Sequence, residues 1–341
     1  MRVSSMRTKK PRFNVVITDS EWPDGKLEQE ILEKIGASVK HFQTYDTQGL
    51  KEITRAADGI LVDYGNINEE VITNLTRARL IVSCGVGYDN IDVNAATQKG
   101  VLVCNVPDFM TFEVADHTIA LVLAMIRKIT WADQLVRTGD WSKHGTLAWR
   151  ELQPLGHMDD MTAGIVGFGR IGRQVAERLH SFHMKIVASD PYVPKQIAAK
   201  QHVELLDLKA LLKKSDVVCL NTLLSKETYH LIGEKELRSM KPTAIIVNTS
   251  RGRVIDQTAL VQALRRRTIA GAALDVLESE PPSNNDEILT LQNVIFTPHI
   301  GGVSERSSIN LRKFAAEEIR RVLSGQQPKH PVNPSVLTKP H

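Results

Sequence analysis

Three residues that suit proton transfer and anion binding follow apolar, strand-like runs in the second half of the sequence. Arg251 comes directly after IIVNTS, Glu280 comes shortly after AGAALDV, and His299 comes after VIFTP. A histidine can give or take a hydroxyl proton near neutral pH, and a carboxylate can orient it and raise its pKa. An arginine can bind a carboxylate through two parallel hydrogen bonds. Together these residue types suit hydride-coupled proton transfer at a carbonyl next to a carboxylate.

Taken singly, each of the three residues has a structural interpretation. An arginine after a strand is commonly a surface residue, and a glutamate before two prolines is commonly a loop residue. A histidine beside an apolar strand is commonly packed, or bound to a metal. No further ligands at metal-binding spacing accompany His299, which disfavours the interpretation of His299 as a metal ligand. Local sequence alone leaves the structural and proton-donor interpretations open.

The elements that would position these residues alternate between strand and helix along the chain. The first series has strand-like runs at 15–18, 59–62, 80–84 and 101–105, with helical patterns at 27–35 and 69–75. A long helical pattern covers 112–138. The second series has strand-like runs at 163–169, 185–190, 216–220, 244–250, 270–276 and 293–297, followed by a final helix at 304–323. This alternation, with continuously apolar strands, predicts an α/β protein with two doubly wound parallel sheets. Because the carboxyl ends of parallel strands share one edge, the three residues are expected to converge there.

The run GIVGFGRIG contains the spacing Gly167-x-Gly169-x-x-Gly172, directly after a strand and at the start of a helical pattern. In this context the spacing indicates a dinucleotide site, with the phosphates at the helix N-terminus. The next strand ends in Asp190, which suits a ribose 2′-hydroxyl and favours NAD over NADP. Lys195 lies close in sequence and weakens that preference. The alternative is a glycine-rich turn beside a solvated aspartate.

The composition is that of an ordinary globular protein, with 341 residues, 42% hydrophobic and 24% charged, and a net charge of +4. The length suggests two domains. Basic residues are scattered apart from a short N-terminal cluster and Arg265–Arg267, so no nucleic-acid partner is expected. Three cysteines without a CxxC motif, and no apolar run long enough for a membrane span, predict a cytoplasmic protein with no metal and no membrane association.

Six stretches resemble the D-isomer-specific 2-hydroxyacid dehydrogenase family, in family order and over most of the chain. They are SCGVGYDNID (83–92), NVPDFMTFEVADHTIAL (105–121), GIVGFGRIG (164–172), MKPTAIIVNTSRGRVID (240–256), GAALDVLESEPP (271–282) and TPHIGG (297–302). The resemblance implies an NAD-dependent oxidoreductase that interconverts a 2-keto acid and a D-2-hydroxy acid. It implies Arg251 as the substrate-carboxylate binder, Glu280 rather than Glu278 as the partner of the histidine, and His299 as the acid/base.

The resemblance also assigns the binding residues and the domains. The substrate would contact Val86, Gly87, Arg251 and His299. The cofactor would be held by Gly167, Gly169, Arg170, Ile171, Gly172, Asp190, Thr222, Thr249, Ser250, Arg251, Asp275, His299, Gly301 and Gly302. A flavodoxin-like substrate domain would comprise residues 1–110 and 304–341, and a Rossmann NAD-binding domain residues 111–303. A homodimer would form on the long helix and the loop that carries Trp141 and Trp149.

Some positions depart from the family pattern, and some alternatives remain open. Asn221 stands where a histidine is common, Leu223 where a proline is common, and Asp116 where a glutamate is frequent. The alternative function is that of an NAD(H)-responsive, corepressor-like binding protein with little turnover. Phosphite oxidation on a similar framework is a further alternative, whereas Glu280 disfavours formate-type enzymes. The 2-keto acid itself is left open, with Tyr64, Val86 and Phe109 as candidate selectivity residues.

Overall fold

The computed structural model describes residues 11–338. Residues 1–10, which carry the N-terminal basic cluster, and residues 339–341 lie outside the described part. The chain divides into two compact units, one made of the segment up to Phe109 together with Ser304 onward, and one made of Met110–Val303. Within residues 11–338, no helix has the length and apolarity needed to cross a bilayer.

The first unit is a five-stranded parallel sheet in the order β2-β1-β3-β4-β5. Its strands are β1 (Phe13–Ile17), β2 (Ala37–His41), β3 (Gly59–Val62), β4 (Leu80–Ser83) and β5 (Leu102–Cys104). Its helices are α1 (Lys26–Leu32), α2 (Thr47–Thr54), α3 (Glu69–Asn74), α4 (Val93–Lys99) and α13 (Glu305–Leu323). Every residue of β3, β4 and β5 is buried, as expected for strands covered on both faces. The flavodoxin-like order confirms the predicted fold class.

Short polar side chains cap the first turns of α2, α3 and α4. The side chains of Asp46, Asn68 and Asp92 accept the backbone N–H of Gly49, Val71 and Ala95, so they cap α2, α3 and α4. Gly100 ends α4 with a left-handed φ of 76°, which glycine adopts without a steric penalty.

The last helix, α13, packs against α1, β3 and β4 of the first unit. Arg312 on α13 binds the buried carboxylate of Glu28 on α1 through two hydrogen bonds, each 2.6 Å long. The segment after α13 is also anchored, because buried Asn333 accepts the Val103 N–H at 2.7 Å and donates to the Val101 carbonyl. The bidentate Arg312–Glu28 pair fixes the position of α13 more strongly than an exposed ion pair would.

The second unit is a seven-stranded parallel sheet in the order β12-β11-β10-β9-β6-β7-β8. Its strands are β6 (Thr162–Val166), β7 (Lys185–Ser189), β8 (Glu204–Leu205), β9 (Val217–Leu220), β10 (Ile245–Asn248), β11 (Gly271–Leu274) and β12 (Val294–Phe296). Its helices are α5 (Thr111–Ile126), α6 (Ile129–Arg137), α7 (Asp140–His144), α8 (Arg170–His180), α9 (Lys195–Ala199), α10 (Leu208–Lys214), α11 (Glu234–Ser239) and α12 (Gln257–Arg265). The strand order reverses between β6 and β9, which is the switch point where ligands bind in open α/β sheets. This arrangement is the predicted Rossmann topology.

One prediction about the elements was wrong, and two strands were missed. The helical pattern at 112–138 is not one helix, because α5 ends at Ile126 and Lys128 takes a left-handed φ of 54° before α6 begins. The edge strands β2 and β8 were not predicted. Each contains polar or exposed residues, which hide it from a search for apolar runs.

The carboxyl edge of the first sheet carries a group of acidic side chains. The buried carboxylate of Asp19 accepts the N–H groups of Tyr64 and Gly65, which fixes the turn after β3. The neighbouring Asp63 carboxyl is largely buried. Burial, followed by the charges of Asp19 and Glu21, raises the pKa of Asp63 from 3.8 to about 8.

The raised pKa of Asp63 predicts a pH-dependent stability. Between pH 4 and pH 8 the unfolded chain releases this proton while the folded chain keeps it. The stabilising contribution of the protonated Asp63 carboxyl to the free energy of unfolding is therefore fully present below about pH 4 and is lost as the pH rises through about 8. We expect Asp63→Asn to unfold at a higher urea concentration than the parent chain at pH 8.5, and to differ less at pH 5. Glu52→Gln, an exposed carboxylate on α2, is the control and should show no such difference. An equal effect of Asp63→Asn at both pH values would contradict this assignment.

Candidate active site

The predicted dinucleotide loop joins β6 to α8, and its glycines are required by contacts. Gly167 has a left-handed φ of 89°, and a Cβ placed there would lie 2.6 Å from the Asn221 carbonyl oxygen. A Cβ on Gly172 would lie 2.1 Å from the Gly167 carbonyl oxygen. A Cβ on Gly169, the residue before α8, would meet nothing within 4 Å. The loop is therefore closed towards the protein and open in front of Gly169, as a bound pyrophosphate requires.

Asp190 follows β7 beside this loop. One carboxylate oxygen accepts the Phe168 N–H and the other accepts the Tyr192 N–H, each at 2.9 Å. Two backbone donors thus hold the carboxylate in one orientation. Each oxygen keeps lone-pair capacity for a further donor such as a ribose hydroxyl.

Two side chains after β9 have buried polar atoms without a partner among the described residues. They are the hydroxyl of Thr222 and both polar atoms of the Asn221 amide. A buried polar group without a partner is costly, so such groups commonly meet a ligand or water. Thr222 was predicted to contact the cofactor, whereas the orphaned amide of Asn221 was not predicted. The only sequence signal for Asn221 was its departure from the family pattern.

Together these observations fit a nicotinamide dinucleotide. The residues that would hold it are the glycines of the loop, Arg170 and Ile171 at the start of α8, Asp190 and Thr222. Their contacts with a cofactor remain predictions.

His299 and Glu280 lie together in the second unit, as the sequence analysis expected of a catalytic pair. His299 Nδ1 is 2.6 Å from Glu280 Oε2, and the two side chains are 38% and 35% exposed. The other carboxylate oxygen of Glu280 accepts the Leu277 N–H at 2.8 Å, which orients the carboxylate towards the ring. The neighbouring Glu278 pairs instead with His230 at 2.9 Å. The structure therefore gives Glu280, and not Glu278, as the partner of His299.

Arg251 follows β10 and lies beside the segment that leads to Glu280. A Cβ on the next residue, Gly252, would lie 1.8 Å from the Leu277 carbonyl oxygen, so the two backbones are in direct contact. Arg251 Nη1 donates to the Ser250 carbonyl, and its own carbonyl accepts from the amide of Asn248. Arg251, Glu280 and His299 are thus presented by neighbouring strands β10, β11 and β12 of one sheet.

The two residues before Arg251 are engaged with the protein through their side chains. The Ser250 N–H and hydroxyl both donate to the Asn248 amide oxygen. The Thr249 hydroxyl lies 2.7 Å from the hydroxyl of Thr118 on α5, and both residues are buried. A cofactor contact at Thr249 would therefore be expected from its backbone.

The turn that carries His299 is held by the buried carboxylate of Asp275. The N–H groups of Ile300 and Gly301 donate to it at 2.9 and 2.8 Å, and the Thr297 hydroxyl donates at 2.6 Å. His299 itself has a left-handed φ of 55°, a conformation that costs a non-glycine residue about 1–3 kcal/mol. Hydrogen bonds to a charged acceptor contribute about 1.5–3 kcal/mol each, so they are sufficient to stabilise this strained turn.

The glycines after His299 are required by the same packing. A Cβ on Gly301 would lie 2.8 Å from the Asp275 carboxylate, and one on Gly302 would lie 2.1 Å from the Met110 sulfur. These contacts account for both glycines without a cofactor. The assignment of Asp275, Gly301 and Gly302 to the cofactor remains a prediction.

One member of this network, His117 on α5, was not predicted. His117 Nε2 lies 3.0 Å from the Thr297 hydroxyl and 3.4 Å from the Asp275 carboxylate. Burial alone would raise the pKa of Asp275, but hydrogen bonds from His117, Thr297 and the two backbone N–H groups hold this pKa below its ordinary value. The available signal was a polar pair, Asp116 and His117, inside a core helix that is mostly apolar.

The predicted substrate residues Val86 and Gly87 lie after β4 in the first unit. The Val86 carbonyl accepts from the Asn105 amide, and the Gly87 carbonyl accepts from the Ser83 hydroxyl. Neither N–H donates to another residue within 11–338. Adjacent backbone N–H groups of this kind can bind an anion. In the same range, no group of three or more His, Cys, Asp or Glu side chains is placed to hold a metal ion.

The sequence of the chain is similar to a known family profile and to curated proteins. The profile of the D-isomer specific 2-hydroxyacid dehydrogenase NAD binding domain matches residues 119–301, which is more than half of the chain. A glyoxylate reductase of Thermococcus litoralis is 43% identical over 80% of this chain and 82% of its own length.

Two solved structures are similar over nearly the whole chain. The D-lactate dehydrogenase of Aquifex aeolicus with NAD and lactic acid has a TM-score of 0.83 and 29% identity, over 92% of this chain and 96% of its own. The NADPH-dependent glyoxylate/hydroxypyruvate reductase of Sinorhizobium meliloti, with NADP and malonate, has a TM-score of 0.83 and 27% identity, over 94% and 97%.

The matched profile, the identity to a curated relative and the two parallel sheets lead to one conclusion. The chain belongs to the D-isomer specific 2-hydroxyacid dehydrogenase family and is an NAD(P)-dependent oxidoreductase of 2-keto and 2-hydroxy acids.

Proposed function

We propose that the protein reduces glyoxylate, or another small 2-keto acid with an uncharged side chain, to the corresponding 2-hydroxy acid with NADH. His299 would be the acid/base, Glu280 its partner, and Arg251 the carboxylate-binding residue. The observation that carries the proposal is the 2.6 Å contact between His299 Nδ1 and Glu280 Oε2.

The His299–Glu280 pair is suited to deliver a proton to a keto oxygen. The Glu280 carboxylate accepts from Nδ1, which stabilises the doubly protonated ring. The other nitrogen, Nε2, has no hydrogen-bond partner in the described part of the chain, so its N–H can be given to substrate. A bound NADH supplies the hydride. In the reverse direction the neutral ring would take the hydroxyl proton.

Arg251 would bind the substrate carboxylate through its guanidinium, which donates in a fork that matches a carboxylate. Its bond to the Ser250 carbonyl supports the orientation of the side chain. The N–H groups of Val86 and Gly87 would supply further donors to the same carboxylate. These assignments rest on residue chemistry and on the family resemblance.

The loops that follow β1, β3 and β4 favour a substrate with one negative charge. Residues 18–25, 63–67 and 84–90 contain no lysine or arginine, whereas they include the carboxylates of Asp19 and Glu21. A phosphorylated substrate would need cationic partners for its second anionic group. The similarity to glyoxylate reductases supports the same choice. Tyr64, whose hydroxyl donates to Glu21 at 2.6 Å, would line the side-chain end of the substrate, as would Val86 and Phe109.

NAD is proposed over NADP because of Asp190. Its carboxylate is fixed by two backbone N–H groups and would repel a 2′-phosphate. The Sinorhizobium relative is NADPH-dependent, whereas the Aquifex relative is complexed with NAD, so the preference proposed for this chain rests on Asp190.

A homodimer is proposed for the segment that contains α6 and α7. The side chains of Trp141 and Trp149 are 56% and 47% exposed, and Ile129 and Val136 are also exposed. Exposed apolar side chains gathered on one segment are typical of an interface. The cytoplasmic location and the absence of nucleic-acid partners remain predictions.

The proposed substrate and cofactor are tested with a 2-keto-acid panel. We expect purified protein to oxidise NADH with glyoxylate and hydroxypyruvate at a higher kcat/KM than with phosphohydroxypyruvate, because the loops after β1, β3 and β4 contain no lysine or arginine for a phosphate. The same rates with NADPH should be lower because of Asp190. Preference for the phosphorylated acid would contradict the charge argument. No turnover with any 2-keto acid, together with NADH-dependent capture of a protein partner, would instead favour the corepressor-like alternative.

The proposed acid/base is tested by matched substitutions in two His–Glu pairs. His299→Gln should lower kcat roughly 10²–10⁴-fold while NADH binding, measured by fluorescence, stays near that of the parent. Glu280→Gln should cause a smaller loss, because the ring keeps its place but loses the charge that stabilises its protonated form. Glu278→Gln, in the neighbouring pair with His230, is the control and should retain activity. Near-normal activity of His299→Gln would remove the assignment.

A further inference from the structure

His117 lies outside the catalytic pair, yet it contacts the turn that carries His299. Its side chain is only 19% exposed, and it projects from α5 towards Thr297 at the end of β12. The Thr297 hydroxyl donates a hydrogen bond to the Asp275 carboxylate, so its oxygen can accept a hydrogen bond from the Nε2–H of His117. The donor order is therefore His117 to Thr297 to Asp275.

Asp275 in turn holds the backbone on both sides of His299 through hydrogen bonds. Its carboxylate accepts the N–H groups of the two residues that follow His299, and the Asp275 carbonyl accepts the His299 N–H at 2.9 Å. Both ends of the left-handed His299 residue are thus tied to Asp275. The direction of the imidazole depends on this backbone, because the side chain leaves from a left-handed conformation that is uncommon for residues other than glycine.

His117 is also packed against the same turn. A Cβ on Gly301 would lie 3.3 Å from His117 Cδ2, so the ring lies directly over the backbone that follows His299. The imidazole therefore supports the turn by contact as well as through Thr297.

We propose that His117 is a positioning residue for the reaction: acting through Thr297 and Asp275, it holds the left-handed turn that points the His299 imidazole at the substrate. This inference rests on the proposed role of His299 as the acid/base. His117 itself does not touch Glu280 or His299 through any hydrogen bond that the structure describes.

The inference is tested by replacing His117 with one side chain that cannot donate and one that can. His117→Phe keeps a planar ring but removes the donor, and His117→Gln places an amide N–H near the position of Nε2. We expect His117→Phe to lower kcat roughly 10- to 100-fold, because a small misplacement of a reacting group is sufficient for such a loss. The KM for the keto acid and the dissociation constant of NADH should change less than about threefold.

Two further variants complete the design. His117→Gln should recover most of the lost kcat. Thr297→Val, which interrupts the same chain of donors, should lower kcat similarly, and combining it with His117→Phe should add little further loss. His180→Phe is the matched control, since this histidine bonds the Gln201 carbonyl away from the turn and should keep normal kinetics.

The outcomes separate the inference from the proposed function. A normal kcat in His117→Phe, or a Gln variant no better than the Phe variant, overturns the positioning role. Equal losses of kcat, NADH affinity and thermal stability would do so as well, because they indicate general unfolding. If His117→Phe does not fold, a normal kcat in Thr297→Val overturns the role and a selective loss supports it. Normal turnover in His299→Gln would overturn the proposed function itself.

Discussion

The proposed catalytic edge depends on the hydrogen bonds that the buried carboxylate of Asp275 accepts. This carboxylate accepts two backbone N–H groups and one hydroxyl from the turn that carries His299. The strain of a left-handed histidine, about 1–3 kcal/mol, is smaller than the stabilisation that three hydrogen bonds to a charged acceptor can give. Because the hydrogen bonds exceed the strain, the turn can hold the imidazole in one direction before substrate arrives. Glu280 then needs only to meet a ring that is already in place.

Close backbone contacts bring the remaining groups to the same edge. Gly252 lets the segment after β10 touch the segment after β11, which places Arg251 beside the residues leading to Glu280. In the same sheet, Gly167 and Gly172 bring α8 against the end of β6 and leave the space before Gly169 open. Glycine occurs where a Cβ would collide with a carbonyl oxygen. The same requirement for close backbone packing therefore shapes the proposed cofactor loop and the proposed catalytic edge. Because the strands are parallel, their carboxyl ends lie at one edge of the sheet, which brings Arg251, Glu280 and His299 to the same side.

Much of this could be predicted from the sequence, and the failures have physical causes. Buried strands such as IIVN and GILV are continuous apolar runs, and they were found. The edge strand β2, ASVKH, mixes polar and apolar residues because only part of it is buried, and β8 has only two residues. The break between α5 and α6 falls at Arg127 and Lys128, where no glycine or proline marks it.

The site shows the same division. Arg251, Glu280 and His299 each follow a strand, so topology alone predicts that they gather at one edge. The choice of Glu280 over Glu278 came from the family pattern and agrees with the contacts. His117 could not be assigned in this way, because its partner Thr297 is distant in the chain and no periodicity encodes a side-chain contact between a helix and a strand end.

In the proposed mechanism, the Nε2 proton of His299 is the one transferred to the substrate oxygen. A crystal structure of the protein with NADH and oxamate, an unreactive analogue of a 2-keto acid, tests it most directly. We expect His299 Nε2 within roughly 2.6–3.2 Å of the oxygen that stands for the keto group, with Nδ1 still on Glu280. A His299 ring turned away from that oxygen, with another acid in hydrogen-bond contact with it, would show that His299 is not the proton donor.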